Sequence, residues 1–291
     1  MLKKIGTALA VLFVLTGYAE AREKIGVAVT IAPLAEFVEQ IGGDRVMVTL
    51  MVPPGASPHT YEPKPGQLKG LGRSRLYVKV GTGVEFELAW LDKILAVNRA
   101  LAVCDSGRGI RLIGAPKGHH DDEASHHHHS ESDPHIWTSL SNAMVMAGNI
   151  RDGLISVDPA FEAQYRKNAD AYILKLRSLR NRIADELKNA RVRKFMVFHA
   201  AFGYFAGDFN LTQIAVEVAG KEPSARDMAR LIKKAKAENI KVIFAEPQFN
   251  TKSADVIASA IGGQVVLIDP LAGHYLSNME KMAFAVIGKL K

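Results

Sequence analysis

Cysteine is nearly absent: Cys104 stands alone among 291 residues. An internal disulfide is therefore excluded, and so is a zinc site built on several thiolates. Cys104 ends an apolar run and is expected as a buried, inert thiol. Two hydrolase signatures are missing as well, since neither His-Glu-x-x-His nor Gly-x-Ser-x-Gly occurs. Lys and Arg number 37 against 30 Asp and Glu, a formal charge of +7. The basic residues are scattered, with no stripe interleaved with aromatics, so no nucleic-acid partner is expected. Long apolar runs are also lacking. The one candidate, residues 5–15, is too short for a comfortable membrane span. It follows Lys3 and Lys4 and precedes Ala19-Glu20-Ala21, a small-x-small cleavage site. Residues 1–21 thus read as a secretory signal peptide. Tyr18 stands where a lipoprotein would carry its lipid-bearing cysteine, so the expected product is exported and not lipidated.

What is present is an alternation of strand-like and helix-like runs on either side of one long helical stretch. Strands are expected at 25–31, 46–52, 76–80 and 100–104, and again at 194–198, 211–216, 241–245 and 264–268. Helices fit 33–41, 67–71, 86–97, 141–155, 202–205, 224–237, 254–260 and 275–290. Such alternation implies parallel sheets with helices on their faces. Between the two sets, Phe161, Tyr165, Ala169, Tyr172, Leu176, Leu179, Ile183 and Leu187 recur at steps of three or four, one face of a helix. Asp158 is a fitting N-cap and Pro159 a fitting first residue. Glu162–Arg166 and Arg182–Glu186 have helical ion-pair spacing. The chain is therefore expected to be an α/β protein: a first lobe over 22–157, a rigid linking helix over 158–190, and a second lobe over 191–291.

Ligands of open parallel sheets gather beyond the carboxyl ends of the strands. His59 follows the second strand, His199 the first strand of the second half, and Asp269 the last strand. His135 lies in Asp133-Pro134-His135-Ile136-Trp137. Three imidazoles and a carboxylate can satisfy tetrahedral Zn²⁺. Each alone is as well explained as a surface, capping or turn residue; the joint placement is what points to a metal. Residues 118–132 add a His- and acid-rich segment containing His119, His120, His126, His127, His128 and His129. Such a tract cannot pack a core, and it suits weak, repeated binding of divalent transition metals.

The chain resembles the periplasmic metal-binding receptors of zinc/manganese ABC importers, the cluster A-I solute-binding proteins, in their zinc-specific branch. The likeness rests on the His-rich loop and on motifs spread over nearly the whole mature chain. They are Gly55-Ala56-Ser57-Pro58-His59-Thr60-Tyr61-Glu62-Pro63, Asp133-Pro134-His135-Ile136-Trp137, Phe198-His199-Ala200-Ala201-Phe202-Gly203-Tyr204, Glu222-Pro223-Ser224, Phe244-Ala245-Glu246-Pro247-Gln248-Phe249 and Ile268-Asp269-Pro270-Leu271. It implies two parallel-sheet lobes joined by one rigid helix, a cation in the cleft, and His59, His135, His199 and Asp269 as its ligands. It also implies a periplasmic location and a membrane ABC permease as partner, with the receptor itself monomeric. Glu62, Trp137 and Glu246 fall inside the motifs and are expected to support the site rather than bind metal. Relatives that prefer manganese usually carry a carboxylate where His199 stands; three imidazoles suit Zn²⁺ better than Mn²⁺. With four protein ligands the site would be closed, which argues against an enzyme. The alternatives are a manganese receptor, a stand-alone metal buffer or adhesin, and a zinc-dependent hydrolase.

Overall fold

The computed structural model describes residues 23–114, 132–217 and 220–290. The expected leader lies outside these residues, as do His119, His120 and His126 to His129.

Two four-stranded sheets form, with every strand pair parallel. In the first half β1 (Ile25–Val29), β2 (Val46–Leu50), β3 (Ser74–Lys79) and β4 (Ala102–Asp105) run in the order β2-β1-β3-β4. In the second, β5 (Lys194–Val197), β6 (Thr212–Ala215), β7 (Val242–Ala245) and β8 (Gln264–Leu267) repeat it as β6-β5-β7-β8. The helices are α1 (Ala32–Gly42), α2 (Pro65–Gly70), α3 (Glu85–Val97), α4 (Leu140–Val157), α5 (Glu162–Leu187), α6 (Gly203–Asp208), α7 (Ala225–Ala237), α8 (Lys252–Ala260) and α9 (Tyr275–Ile287). Every expected element is present, its ends shifted by a few residues. The five residues of β1, Ile-Gly-Val-Ala-Val, are all buried, as a strand covered by helices on both faces requires.

The linking helix, α5, is 26 residues long, about 39 Å at ~1.5 Å per residue. It is shorter than the 158–190 stretch. Tyr165, Ala169, Tyr172, Leu176, Leu179, Ile183 and Leu187 are all buried along it, and Phe161 packs at its edge. Asp158 does not cap it. A 3-10 turn, Pro159–Phe161, intervenes, and the Asp158 carboxylate accepts hydrogen bonds from Arg45 Nε and Tyr165 OH, each at 2.7 Å. Burial opposes the charge on Asp158, but these two donors outweigh it and hold the carboxyl below its ordinary range. A buried carboxylate took the charge-assisted pairing in preference to the helix end. Of the two expected helical ion pairs, Glu162–Arg166 forms at 2.7 Å, whereas Arg182 reaches Glu280 of α9 at 2.7 Å.

The halves are stitched together around α5. Helix α9 returns from the second half to pack on α5 and α1. There Phe37 meets Tyr275 edge-on at 4.7 Å, and Glu36 Oε1 accepts from Tyr172 OH (2.8 Å) and Leu276 N (3.1 Å). A 3-10 turn that the sequence pattern does not signal, Ile136–Thr138, supplies further links. Trp137 Nε1 donates to Pro270 O at 3.0 Å, Tyr275 OH to Trp137 O at 2.7 Å, and Thr138 Oγ1 to Ala201 O at 3.0 Å. Hydrogen bonds buried between the halves oppose a wide hinge motion. Cys104 is 6 % exposed, and burial pushes its thiol up to about 12, so it is inert as expected. No described helix is long and apolar enough to cross a membrane.

Candidate metal centre

Three of the four expected ligands converge. His59 lies in the Pro-rich connection after β2, His135 opens the 3-10 turn before α4, and His199 follows β5 where the strand order of the second sheet reverses. His135 Nε2 lies 3.2 Å from His59 Nε2 and 3.1 Å from His199 Nε2. Among the described residues these three form a group whose ligand atoms all lie within 4.8 Å of one another. The edge of a tetrahedron with ~2.0–2.1 Å Zn–N bonds is about 3.3 Å, so the spacing matches what a single zinc ion requires.

The opposite ring nitrogens explain why the cluster calls for a cation. His59 Nδ1 donates to Glu85 Oε2 at 2.6 Å, His135 Nδ1 to Asp133 Oδ1 at 2.7 Å, and His199 Nδ1 to Glu217 Oε1 at 2.6 Å. A carboxylate accepts only, so each bond places the ring hydrogen on Nδ1. In a neutral imidazole Nε2 is then a bare acceptor. The short Nε2–Nε2 separations cannot be hydrogen bonds between such rings; they are lone pairs aimed at one point. Carboxylate–imidazole pairs of this kind fix ring orientation and raise ligand basicity. His135 is the most deeply placed, 6 % exposed, and burial lowers it to about 4, against the hydrogen bond and charge of Asp133. It is thus neutral and ready to bind metal throughout the neutral range. For Glu85, burial works upward, but the hydrogen bond and charge of His59, together with a backbone hydrogen bond and the charge of His135, outweigh it and hold the carboxyl below its ordinary value.

Both halves build the support. Tyr204 OH, from α6, accepts from Ile113 N at 3.2 Å and donates to Asp133 O at 2.8 Å. A Cβ on the neighbouring Gly203 would come within 2.7 Å of Asp133 Oδ2, so glycine is what lets α6 approach the carboxylate behind His135.

Asp269 is placed differently. It lies outside the three-imidazole group, and its Oδ1 accepts from Gln248 Nε2 (2.8 Å) and Leu271 N (2.9 Å). Of the expected supporting residues, Trp137 packs edge-on to His135 at 5.2 Å between ring centres. Glu246 is 1 % exposed and accepts from His199 N through Oε2 at 3.4 Å; burial raises it to about 8. Glu62 is exposed and holds none of the three rings. Glu85, Asp133 and Glu217, which do, went unnoticed in the sequence. Asp133 sits two residues before His135 and could have been found. Glu217 follows β6 at a strand's carboxyl end, a weaker signal, and Glu85 opens α3 with none.

Two parallel-sheet lobes, closely joined, that aim imidazoles from both halves at one small cavity define a receptor for a single divalent cation. Residues 27–286 match the family model described as zinc-uptake complex component A, periplasmic, and the chain belongs to that family. It is 35 % identical over 265 residues to the high-affinity zinc uptake system protein ZnuA of Bacillus subtilis, covering 89 % of this chain and 82 % of that one. It is 32 % identical over 302 residues to the zinc-binding lipoprotein AdcA of Streptococcus pneumoniae, covering 96 % of this chain but 60 % of the longer relative. A crystal structure of ZnuA superposes with a TM-score of 0.85 at 38 % identity, covering 92 % of this chain and all of the other.

Proposed function

We propose that the protein captures Zn²⁺ outside the cytoplasm and hands it to an ABC permease for uptake. The cation is cargo, and no catalysis is involved. The observation that carries the reading is the convergence of three Nε2 atoms, each with its Nδ1 held by a carboxylate. His59, His135 and His199 are the proposed imidazole ligands, with Asp269 as the proposed fourth contact. A family of zinc-uptake components and a zinc-uptake relative matched over most of its length support the choice of cargo. Three imidazoles favour Zn²⁺ over the harder Mn²⁺.

The finer points of the reading are these. The protein works as a monomer in the periplasm, free of lipid because Tyr18 occupies the cysteine position. The first lobe, linking helix and second lobe act as one body, and release proceeds through small shifts of the lobes. The His-rich loop, 118–132, collects metal weakly and feeds the cleft. Titration calorimetry with Zn²⁺ and Mn²⁺ in turn tests the proposal. One tight site per chain for Zn²⁺, with Mn²⁺ much weaker, is expected; equal or tighter binding of Mn²⁺ would overturn it.

A further inference from the structure

A groove of about 610 Å³ lies at the other end of the first sheet from the imidazoles, where β3 and β4 begin. Arg73, Ser74, Arg75, Asn98, Ala102 and Ser156 are among its walls, and none of its described lining residues is acidic. Arg75 donates to Val157 O at the end of α4, so its charge offsets that helix's negative terminus. Asp158, the acid next along the chain, is already held by Arg45 and Tyr165. Asn98 Nδ2 donates to Leu71 O at 3.0 Å and to Ser74 O at 2.9 Å. That fastens the end of α3 to the groove wall and brings Arg99 to its rim. Arg73 and Arg99 are exposed and form no ion pair among the described residues.

An uncovered apolar strip adjoins the groove. Helix α3 buries only Phe86, Glu87 and Ile94 of its 13 residues. Helical steps align Trp90, Lys93 and Val97 on one flank. Trp90 is half-buried, Val97 is 50 % exposed, and Lys93 Nζ lies 4.0 Å from the centre of the Trp90 ring. Cys104 of the edge strand β4 faces α4, where a Cβ on Gly153 would come within 2.9 Å of its sulfur. Side chains alternate along a strand, so Val103 faces the α3 side, where it is 42 % exposed. Val97 and Val103 are the chain neighbours of Asn98 and Ala102, which line the groove. Cationic groove and apolar strip are thus one surface.

We infer that this surface docks on a membrane of anionic phospholipid. A headgroup phosphate enters the groove at Arg73 and Arg75, Arg99 and Lys93 face neighbouring headgroups, and Trp90, Val97 and Val103 lie against the interface. Basic side chains beside an exposed aromatic and aliphatic strip suit such a contact. A small free anion would use the groove and leave the strip bare. The inference goes beyond the proposed function and does not depend on the imidazole site. It keeps close to the membrane a receptor to which that function gives no lipid.

The chain has two tryptophans, and Trp137 is 1 % exposed, so Trp90 reports the contact. With no metal added, vesicles of mixed phosphatidylglycerol and phosphatidylcholine at low salt should carry the exported protein upward in a flotation gradient and shift its fluorescence to the blue. Vesicles of phosphatidylcholine alone should do neither, and salt should release the bound protein. Arg73→Gln combined with Arg99→Gln should weaken binding roughly 10–30-fold, at about fivefold for each basic residue near the surface. Val97→Ser combined with Val103→Ser should weaken it on the order of tenfold. Zinc calorimetry should be the same for both pairs as for the unmodified protein, since none of the four residues touches the imidazoles. If the protein neither floats nor shifts with phosphatidylglycerol vesicles, the inference is wrong and the metal reading stands. Binding that the arginine pair leaves undiminished would also overturn it, by placing the contact on another face. If the vesicles fail while both pairs lower zinc uptake by cells, the surface belongs to the permease and not to lipid.

Discussion

Replacing His199 by Ala should weaken tight zinc binding by two to three orders of magnitude and leave weak binding in place. Structural zinc sites supply about 10–16 kcal/mol in total, so one of four contacts accounts for ~3–4 kcal/mol, or roughly 10²–10³ in Kd. His199 is also the only one of the three converging imidazoles contributed by the second half. Its loss therefore removes the direct bond from the cation to that lobe, as well as one ligand. The Glu217 carboxylate behind it would then lack its imidazole partner, which adds to the cost. Deleting the His-rich segment should do the reverse, removing the weak sites and sparing the tight one. The deletion is best ended at Glu131, because Ser132 pairs with Gly114 and Asp133 N donates to Ile113 O at 2.9 Å. Keeping that closure leaves Asp133 in place against His135. Calorimetry on both variants separates the two kinds of site, and an equal loss of tight binding in the two would show that cleft and loop are not distinct.

The second large effect is on stability. Free Zn²⁺ at about a thousand times its Kd should stabilise the folded protein by ~4 kcal/mol. For a chain of this size each kcal/mol moves the unfolding midpoint by roughly 2–4 °C, so a rise on the order of 10 °C is expected. A chelator should reverse it, and His199→Ala should lose most of it. Because α9 packs on α1 and α5, and because Trp137 and Thr138 bond to the second half, the rise should appear in a single cooperative transition. Two transitions of which zinc moves only one would mean that the lobes unfold separately, contrary to the joined core.

How much of this could be read beforehand follows from what leaves a periodic mark. The α5 face was legible because seven side chains from Tyr165 to Leu187 are buried at helical steps. The strands were legible because helices cover the sheets, so that β1 and β7 are apolar throughout. His59, His135 and His199 could be placed because loops after parallel strands face one side of a sheet. The partners of their rings could not, since Glu85 and Glu217 lie 26 and 18 residues from the histidines they hold. Pairing at such separations is decided by packing and carries no local signature. The same limit explains Asp158, a good cap by type, whose carboxylate is claimed by Arg45 113 residues away. Asp269, a carboxylate in the same set of motifs, has its Oδ1 held by Gln248 and Leu271, a pairing that the sequence does not signal either.

The central claim is that one cation is gripped by side chains from both halves of the chain at once. Anomalous diffraction at the zinc edge, from crystals grown with one equivalent of Zn²⁺, tests it most directly. A single strong peak is expected about 2.0–2.1 Å from the Nε2 atoms of His59, His135 and His199 together. A peak bonded to residues of one lobe alone, with His199 or the His59–His135 pair turned away, would contradict the account.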